Sequence, residues 1–220
     1  MPVEPMPSKF QLPDPRTVED DVIAVGGDLA PGTILQAYRK GMFPMHLPDD
    51  RLAWWSPQAR AILPLDGLKI SRSLRQSVRR FTLSVDQDFE AVIDSCANPE
   101  RPDGWINPGI RAAYGTLHQL GWAHSIEVWD SEGNLAGGLY GVAVGGLFAG
   151  ESMFYEVSDA SKVALVHLVV MLSDRPGCML DVQWLTPHLE RMGAVVIGRD
   201  EYLRRLPGAL DASSPFDPGR

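Results

Sequence analysis

A glycine-rich apolar stretch from residue 137 to residue 171 is the strongest constraint on the fold of this 220-residue chain. Its first half contains six glycines, at positions 137, 138, 141, 145, 146 and 150. Glycine weakens a strand, and it marks bends or the close approach of a ligand or another backbone. Glu151 follows where the apolar run ends, and residues 158–161 start an apolar helix. The stretch predicts a β-hairpin that leads into a helix, and leaves open whether its glycines serve packing or a ligand.

The rest of the pattern predicts an α+β fold, in which helices cover a mixed sheet. Apolar or alternating segments predict strands at 22–25, 82–85, 125–129, 135–144, 147–153, 179–184 and 194–197. Helical spacing and end signals predict helices at 33–40, 69–80, 86–97, 105–120, 158–172, 187–192 and 200–206. Residues 42–46 and 99–104 are predicted to be loops, the first with exposed apolar side chains.

Composition shifts divide the chain into three parts. Residues 1–60 are predicted to form a small N-terminal domain that begins with a proline-rich extended lead-in. Residues 61–207 are predicted to form a larger domain. The Pro, Ser and Gly content of residues 208–220 predicts a disordered tail.

Bulk properties predict a cytoplasmic protein without a membrane partner. The N-terminus lacks a basic segment followed by an apolar one, and the longest apolar run, 163–172, cannot span a bilayer. The two cysteines, Cys96 and Cys178, show neither metal-ligand nor disulfide-framework spacing, and no two histidines are spaced as metal ligands. The spacing therefore gives no sign of a metal site, and we expect a protein without a metal or a cofactor. We also expect a monomer.

One segment departs from the acidic background of the chain, whose net charge is −8. Residues 69–80 hold five of the 20 basic residues and no acidic one. On a helix, four of these cations share much of one face: Arg72, Arg75, Arg79 and Arg80. A solvated surface and a phosphate-binding face explain this segment equally well.

Asp181 and Gln183 are the polar residues of an otherwise apolar predicted strand. Because side chains alternate along a strand, both are expected on one face, opposite Leu180, Val182 and Trp184. A buried carboxylate is unfavourable unless it is paired or hydrogen-bonded, so the pair predicts a polar pocket on the sheet. A serine hydrolase is disfavoured, since residues 150–154 lack the final glycine of a nucleophile elbow.

Long segments resemble the leucyl/phenylalanyl-tRNA–protein transferase family. They cover most of the chain, from about Asp20 to Leu206, and read GGDL, AYRKGMFP, WWSP, ISRSLR, WINPG, HSIEVWD, GLYGVAVGGLFAGESMF, SDASKVALVHL, LDVQWLTPHLERMGA and YLRRL. The resemblance implies a small N-terminal domain and a C-terminal domain of the GNAT-type acyltransferase fold, with a mixed, mostly antiparallel sheet flanked by helices. It implies transfer of Leu or Phe, and less well Met, from aminoacyl-tRNA to the α-amine of proteins that begin with Arg or Lys. That product is an N-end-rule degradation signal.

The resemblance also implies roles for individual residues. The aminoacyl side chain is expected to contact Leu139, Phe148, Met153, Leu168, Leu172 and Leu180. The terminal adenosine is expected to contact Tyr38, Met45, Trp105 and Tyr114, and the tRNA backbone the four arginines of residues 69–80. Met45 stands where the family commonly has a tryptophan, and it lacks that ring's flat face. Leu168 stands where related chains can carry an aromatic residue.

Catalysis is expected to involve Glu151, Asp181 and Gln183. An aminoacyl ester is already activated, so the main need is to hold a neutral amine against the ester carbonyl. We expect Gln183 to orient the amine, Asp181 to fix Gln183 and favour departure of the proton, and Glu151 to hold the substrate or its α-ammonium group.

Two other functions fit the same sequence. A CoA-dependent N-acetyltransferase needs a glycine-rich backbone cradle for pyrophosphate, whereas residues 155–159 carry two acidic side chains. A non-catalytic tRNA-binding module would not need the Asp181 and Gln183 pair.

Overall fold

The computed structural model describes residues 1–99 and 104–217. Residues 100–103 of the predicted loop and residues 218–220 of the predicted tail lie outside this part. The strands are β1 (Val22–Val25), β2 (Phe43–His46), β3 (Leu52–Trp55), β4 (Ala59–Leu63), β5 (Thr82–Val85), β6 (Ala123–Trp129), β7 (Leu135–Val144), β8 (Leu147–Tyr155), β9 (Met179–Gln183) and β10 (Val195–Gly198). The α-helices are α1 (Pro31–Arg39), α2 (Arg72–Ser77), α3 (Phe89–Cys96), α4 (Pro108–Gln119), α5 (Ala160–Ser173), α6 (Pro187–Met192) and α7 (Arg199–Asp211).

The strands form two sheets, which confirms the predicted α+β class. The small sheet has the order β1-β3-β2, and the large sheet has the order β10-β4-β9-β8-β7-β6-β5. All pairs are antiparallel except β8 and β9, which run parallel and are connected by α5. A crossover helix is the usual connection between parallel neighbours.

The glycine-rich stretch forms the β7–β8 hairpin, and its glycines allow close packing. A Cβ on Gly137 would lie 2.7 Å from Cβ of Ala160, so the glycine lets α5 approach the sheet. Gly145 has a φ of +59°, and a Cβ there would collide with the Leu210 carbonyl oxygen. At these positions the glycines serve packing, as a bent sheet requires.

Residues 42–46 are not the predicted exposed loop. Residues 43–46 form the whole of β2, and both Met42 and Phe43 are buried. Pro44 suggested a loop because proline cannot donate to a strand ladder, but β2 is an edge strand, where proline is tolerated.

The predicted disordered tail is wrong for residues 208–217. Helix α7 continues to Asp211, and the Ala209 carbonyl accepts a hydrogen bond of 2.8 Å from the Gly146 amide. Beyond the helix, Phe216 stacks on His124 with ring centroids 4.3 Å apart. Composition alone predicted disorder because it does not show that a few contacts, such as those of Ala209 and Phe216, are enough to hold a short segment.

The predicted boundary near residue 60 falls between the two sheets, because β3 belongs to the small sheet and β4 to the large one. One hydrophobic cluster nevertheless joins Ile34 and Trp54 to Tyr114 and Tyr140 across this division. The boundary itself stays a prediction. Within residues 1–99 and 104–217, no helix is long and apolar enough to cross a membrane.

Candidate active site

A cavity of about 370 Å³ opens where β8 and β9 stop pairing. Their parallel register ends at Ala149 and Asp181, and the residues that follow on each strand line the space. Most of the wall is apolar. Six of the residues predicted to contact the aminoacyl side chain or the adenosine line it: Met45, Trp105, Leu139, Met153, Leu168 and Leu180. The structure therefore brings together much of the predicted aminoacyl pocket and two of the residues predicted at the adenosine.

Glu151 and Gln183 are polar groups in this mostly apolar wall. Glu151 is half-buried, and its Oε1 accepts hydrogen bonds from the Tyr38 hydroxyl at 2.7 Å and from Gln183 Nε2 at 3.0 Å. Its Oε2 accepts from the Tyr114 hydroxyl at 3.0 Å. The two hydroxyl oxygens are themselves 2.6 Å apart. Three elements, α1, α4 and β9, therefore fix the position of this carboxyl group.

The environment of Glu151 favours its protonated form. Burial raises the pKa of Glu151 to about 7, against hydrogen bonds from Tyr38 and Tyr114 that lower it. The two tyrosines and the carboxyl group make three mutual oxygen contacts, and two hydroxyl protons can occupy only two of them. A proton on Glu151 supplies the third hydrogen, so the carboxyl group is suited to exchange a proton near neutral pH.

Asp181 lies behind the cavity and is fully buried. Its Oδ1 accepts from Arg60 Nε at 2.9 Å and from the Gln183 backbone amide at 3.0 Å. Its Oδ2 accepts from Arg60 Nη2 at 2.6 Å and from the Tyr202 hydroxyl at 2.9 Å. Four hydrogen bonds from three residues, two of them from the Arg60 guanidinium, therefore occupy both oxygens of this carboxylate.

The prediction that Asp181 and Gln183 point to one face of the strand is wrong. Gln183 has a φ of +56°, and the pairing of β9 with β4 is irregular just before it. Regular alternation needs an extended backbone. Gln183 therefore lines the cavity with Leu180 and Val182, while Asp181 does not.

Phe148 and Leu172 do not reach the cavity wall, in contrast to their predicted place in the aminoacyl pocket. Both are buried in the cluster between the large sheet and α5. Phe148 stacks instead on Phe216, with ring centroids 5.4 Å apart. The family resemblance assigned Phe148 to the pocket, and its contact with the aminoacyl side chain stays a prediction.

Tyr38 and Tyr114 do not line the cavity, and their hydroxyl groups contact Glu151 and each other. Both rings are buried, with exposures of 2% and 0%. Their predicted contact with adenosine stays a prediction.

The four predicted tRNA-binding arginines are exposed on α2 and the 3-10 turn Val78–Arg80 that follows it. Within the described residues, none of the four forms a salt bridge. Ser77 of α2 donates to Asp159, which precedes α5 and also pairs with Lys162 at 2.7 Å. The Asp159 carboxylate makes this helix start unfavourable for a pyrophosphate.

Sequence reasoning missed Arg60 and Tyr202, which hold Asp181. It also missed Phe43 and Trp184, which line the cavity with their rings 4.8 Å apart. An arginine inside the apolar segment 59–63 was the available signal, because such a cation needs a buried partner.

An apolar cavity with a carboxyl and a carboxamide group in its wall suits an enzyme that holds an apolar side chain beside a polar reacting group, as group-transfer enzymes do. Comparison with known protein families identifies the particular kind of group-transfer enzyme. The family model for leucyl/phenylalanyl-tRNA protein transferase matches residues 62–207, and the model for its N-terminal domain matches residues 27–58. The chain belongs to this family and is an aminoacyltransferase.

Relatives with the name leucyl/phenylalanyl-tRNA–protein transferase align over most of the chain. The protein of Colwellia psychrerythraea is 47% identical over 209 residues, which cover 91% of this chain and 87% of the relative. The Zymomonas mobilis protein is 52% identical over 83% of this chain and 70% of its own length. The Rubrobacter xylanophilus protein is 49% identical over 86% and 98%. Among solved structures, L-PGS from Bacillus licheniformis aligns with a TM-score of 0.41 and 13% identity, over 70% of this chain and 64% of that one.

Proposed function

We propose that this protein transfers Leu or Phe, and less efficiently Met, from aminoacyl-tRNA to the α-amine of proteins with N-terminal Arg or Lys. The product carries an N-end-rule degradation signal. We further propose that residues 61–207 form a GNAT-type domain, and that the protein acts in the cytoplasm as a monomer without a cofactor. The names of the matching family and of the relatives support the two substrate classes, aminoacyl-tRNA and protein.

The main support for this proposal is an apolar cavity whose wall contains the hydrogen-bonded pair of Glu151 and Gln183. Leu139, Met153, Leu168 and Leu180 offer hydrocarbon surface to an aminoacyl side chain, and the polar pair lies where its ester would be. An apolar pocket separates Leu, Met and Phe only weakly, because one methylene group changes binding by about 1–3 kcal/mol.

We infer that Glu151 accepts the proton that leaves the attacking amine. The neutral amine of the acceptor attacks the ester carbonyl, the new amide bond forms, and the bond between the carbonyl carbon and the ribose oxygen breaks. The proton that Glu151 took from the amine then passes to the departing ribose oxygen. Since Asp181 is enclosed by donors, its part is to hold the Gln183 backbone. The Gln183 carboxamide would orient the amine, as an amide is too weakly basic to take the proton itself.

The tRNA is proposed to lie across α2, with its 3′-end reaching the cavity. Exposed arginines without salt bridges are suited to phosphates. Trp105 would stack on the terminal adenine, and Met45 would cover it without offering a flat face. The negative net charge of the chain would favour a cationic N-terminal residue on the acceptor.

Transfer of labelled Leu from Leu-tRNA to two peptides, one with N-terminal Arg and one with N-terminal Lys, tests the function directly. A matched peptide with N-terminal Ala is the control, and we expect labelled product only with Arg or Lys. Absence of product with all three peptides would overturn the proposal. Equal labelling of all three would retain the transfer reaction and overturn the acceptor specificity.

A further inference from the structure

A buried cluster behind Gln183 encloses an arginine. Arg60 on β4 is 1% exposed and holds both oxygens of Asp181, with distances of 2.9 and 2.6 Å. Its guanidinium lies over the rings of Phe43 and Tyr202, 4.7 and 4.4 Å from their centroids. A bidentate pair with ring contacts allows the arginine little freedom to move.

Each member of this cluster is connected to the cavity wall. Asp181 accepts the backbone N–H of Gln183 at 3.0 Å. Phe43 lines the cavity itself. Tyr202 reaches Asp181 from α7, so the C-terminal helix also contributes to the position of this strand. Neither Arg60 nor Tyr202 lines the cavity.

The backbone of Gln183 needs such support. Its φ of +56° lies in the left-handed region, which non-glycine residues seldom occupy. Such a conformation persists only where the surroundings enforce it. If the Asp181 carboxylate were displaced, β9 would be free to regain an extended backbone. The Gln183 carboxamide would then lose its bond to Glu151.

We propose that Arg60 and Tyr202 are positioning residues for aminoacyl transfer. Acting through Asp181, they hold Gln183 in the left-handed conformation that directs its carboxamide to Glu151 and into the cavity. This inference rests on the proposed transfer function, and it adds two residues that act without touching either substrate.

The test is the transfer of Leu from Leu-tRNA to an Arg-peptide by Arg60→Lys and Tyr202→Phe variants. Lysine keeps the charge but cannot form the bidentate pair, so we expect kcat to fall about 100-fold. Phenylalanine keeps the ring beside Arg60 and removes one hydrogen bond, and we expect a fall of about fivefold to tenfold. In both variants the KM for Leu-tRNA should stay within about twofold of wild type, because the leucines of the cavity wall and the arginines of residues 69–80 are unchanged.

Arg199→Lys is the matched control. Arg199 is also buried, at 8% exposure, and lies on α7, but its guanidinium donates to the backbone carbonyls of Pro15, Val18 and Asp20. Its replacement should lower the melting temperature and leave kcat unchanged. Should Arg60→Lys fail to fold, Tyr202→Phe decides alone, since it preserves the packing.

Wild-type kcat in a folded Arg60→Lys protein or in Tyr202→Phe would overturn the inference. So would a loss that appears in KM alone. Inactivity of the wild-type protein would instead overturn the proposed function, which separates the two failures.

Discussion

Glu151 is half-buried and accepts hydrogen bonds from three donors. Its protonation can be followed through the pH dependence of the transfer rate. Because burial raises the pKa of Glu151 to about 7, its ionised form is depleted as the pH falls below that value. If that form accepts the proton, kcat/KM must decline on the acid side of pH 7. A second decline arises from the acceptor amine, whose pKa is about 8.

In Glu151→Gln, the decline of kcat/KM near pH 7 should disappear, and the decline caused by protonation of the acceptor amine should remain. We expect kcat to fall about 10²–10⁴-fold, as for the loss of a general base. The measurement is the pH profile of Leu transfer to an Arg-peptide. Glu132→Gln is the control, because Glu132 is exposed in the β6–β7 turn. An unchanged profile in Glu151→Gln would contradict the role of Glu151.

Leu168 and Leu172 lie one turn apart on α5, both 1% exposed, but only Leu168 lines the cavity. Leu168→Ala should widen the cavity and raise the ratio of Phe to Leu transfer by about tenfold. Leu172→Ala should reduce stability by about 2–5 kcal/mol and leave that ratio unchanged. Competition between Phe-tRNA and Leu-tRNA gives the ratio. An equal shift in both variants would restore the sequence-based assignment of Leu172.

Among single residues, sequence identified those whose chemistry is unusual for their surroundings. Glu151 and Gln183 interrupt apolar strands, and the structure places both in the cavity wall. Arg60 could not be recognised as a partner of Asp181, because 121 residues separate the two and strand order is not local information.

At the scale of elements, α2 and the 3-10 turn that follows it present their arginines away from the core that Leu74 anchors. Arg72→Ala combined with Arg79→Ala should raise the KM for Leu-tRNA about tenfold. It should also flatten the dependence of log KM on log salt by about 0.7–0.9 per lost contact, with kcat unchanged. Titration of transfer rates with KCl provides this slope.

Arg204→Ala supplies the comparison, since Arg204 is exposed on α7 and pairs with Glu201. An equal increase in KM for this variant would point to a general effect of charge and not to a surface on α2.

Sequence predicted most elements because their periodicity and end signals are local. The strands β2, β3 and β4 were not predicted, and β2 contains a proline whose tolerance depends on the edge position of the strand. The irregular end of β9 was also missed, because a single left-handed residue leaves no trace in hydrophobic periodicity.

For the whole molecule, the C-terminal segment closes the structure over the β7–β8 turn. A chain that ends at residue 207 loses the Ala209 contact with Gly146 and the stacking of Phe216 on His124 and Phe148. We expect a loss of about 2–3 kcal/mol, which corresponds to a melting temperature lower by about 4–12 °C. A chain that ends at residue 217 is the control and should melt like the full chain. Equal melting temperatures for the full chain and for the chains that end at residues 207 and 217 would show that residues 208–217 contribute nothing to stability.

The overall class and sheet type were predictable, because both follow from the order of elements. The shared core between the two sheets was not, since Ile34, Trp54, Tyr114 and Tyr140 meet only after the chain has folded.

The left-handed backbone at Gln183 has a consequence for how this protein can vary. Asn and Gly adopt this conformation with least strain, whereas β-branched residues do so with the most. A saturation library at position 183 should therefore separate two kinds of loss. Gly and Asn should yield stable proteins that transfer poorly, while Val and Ile should also fold less well. The backbone conformation of this one residue therefore decides whether a folded chain presents its carboxamide to the cavity.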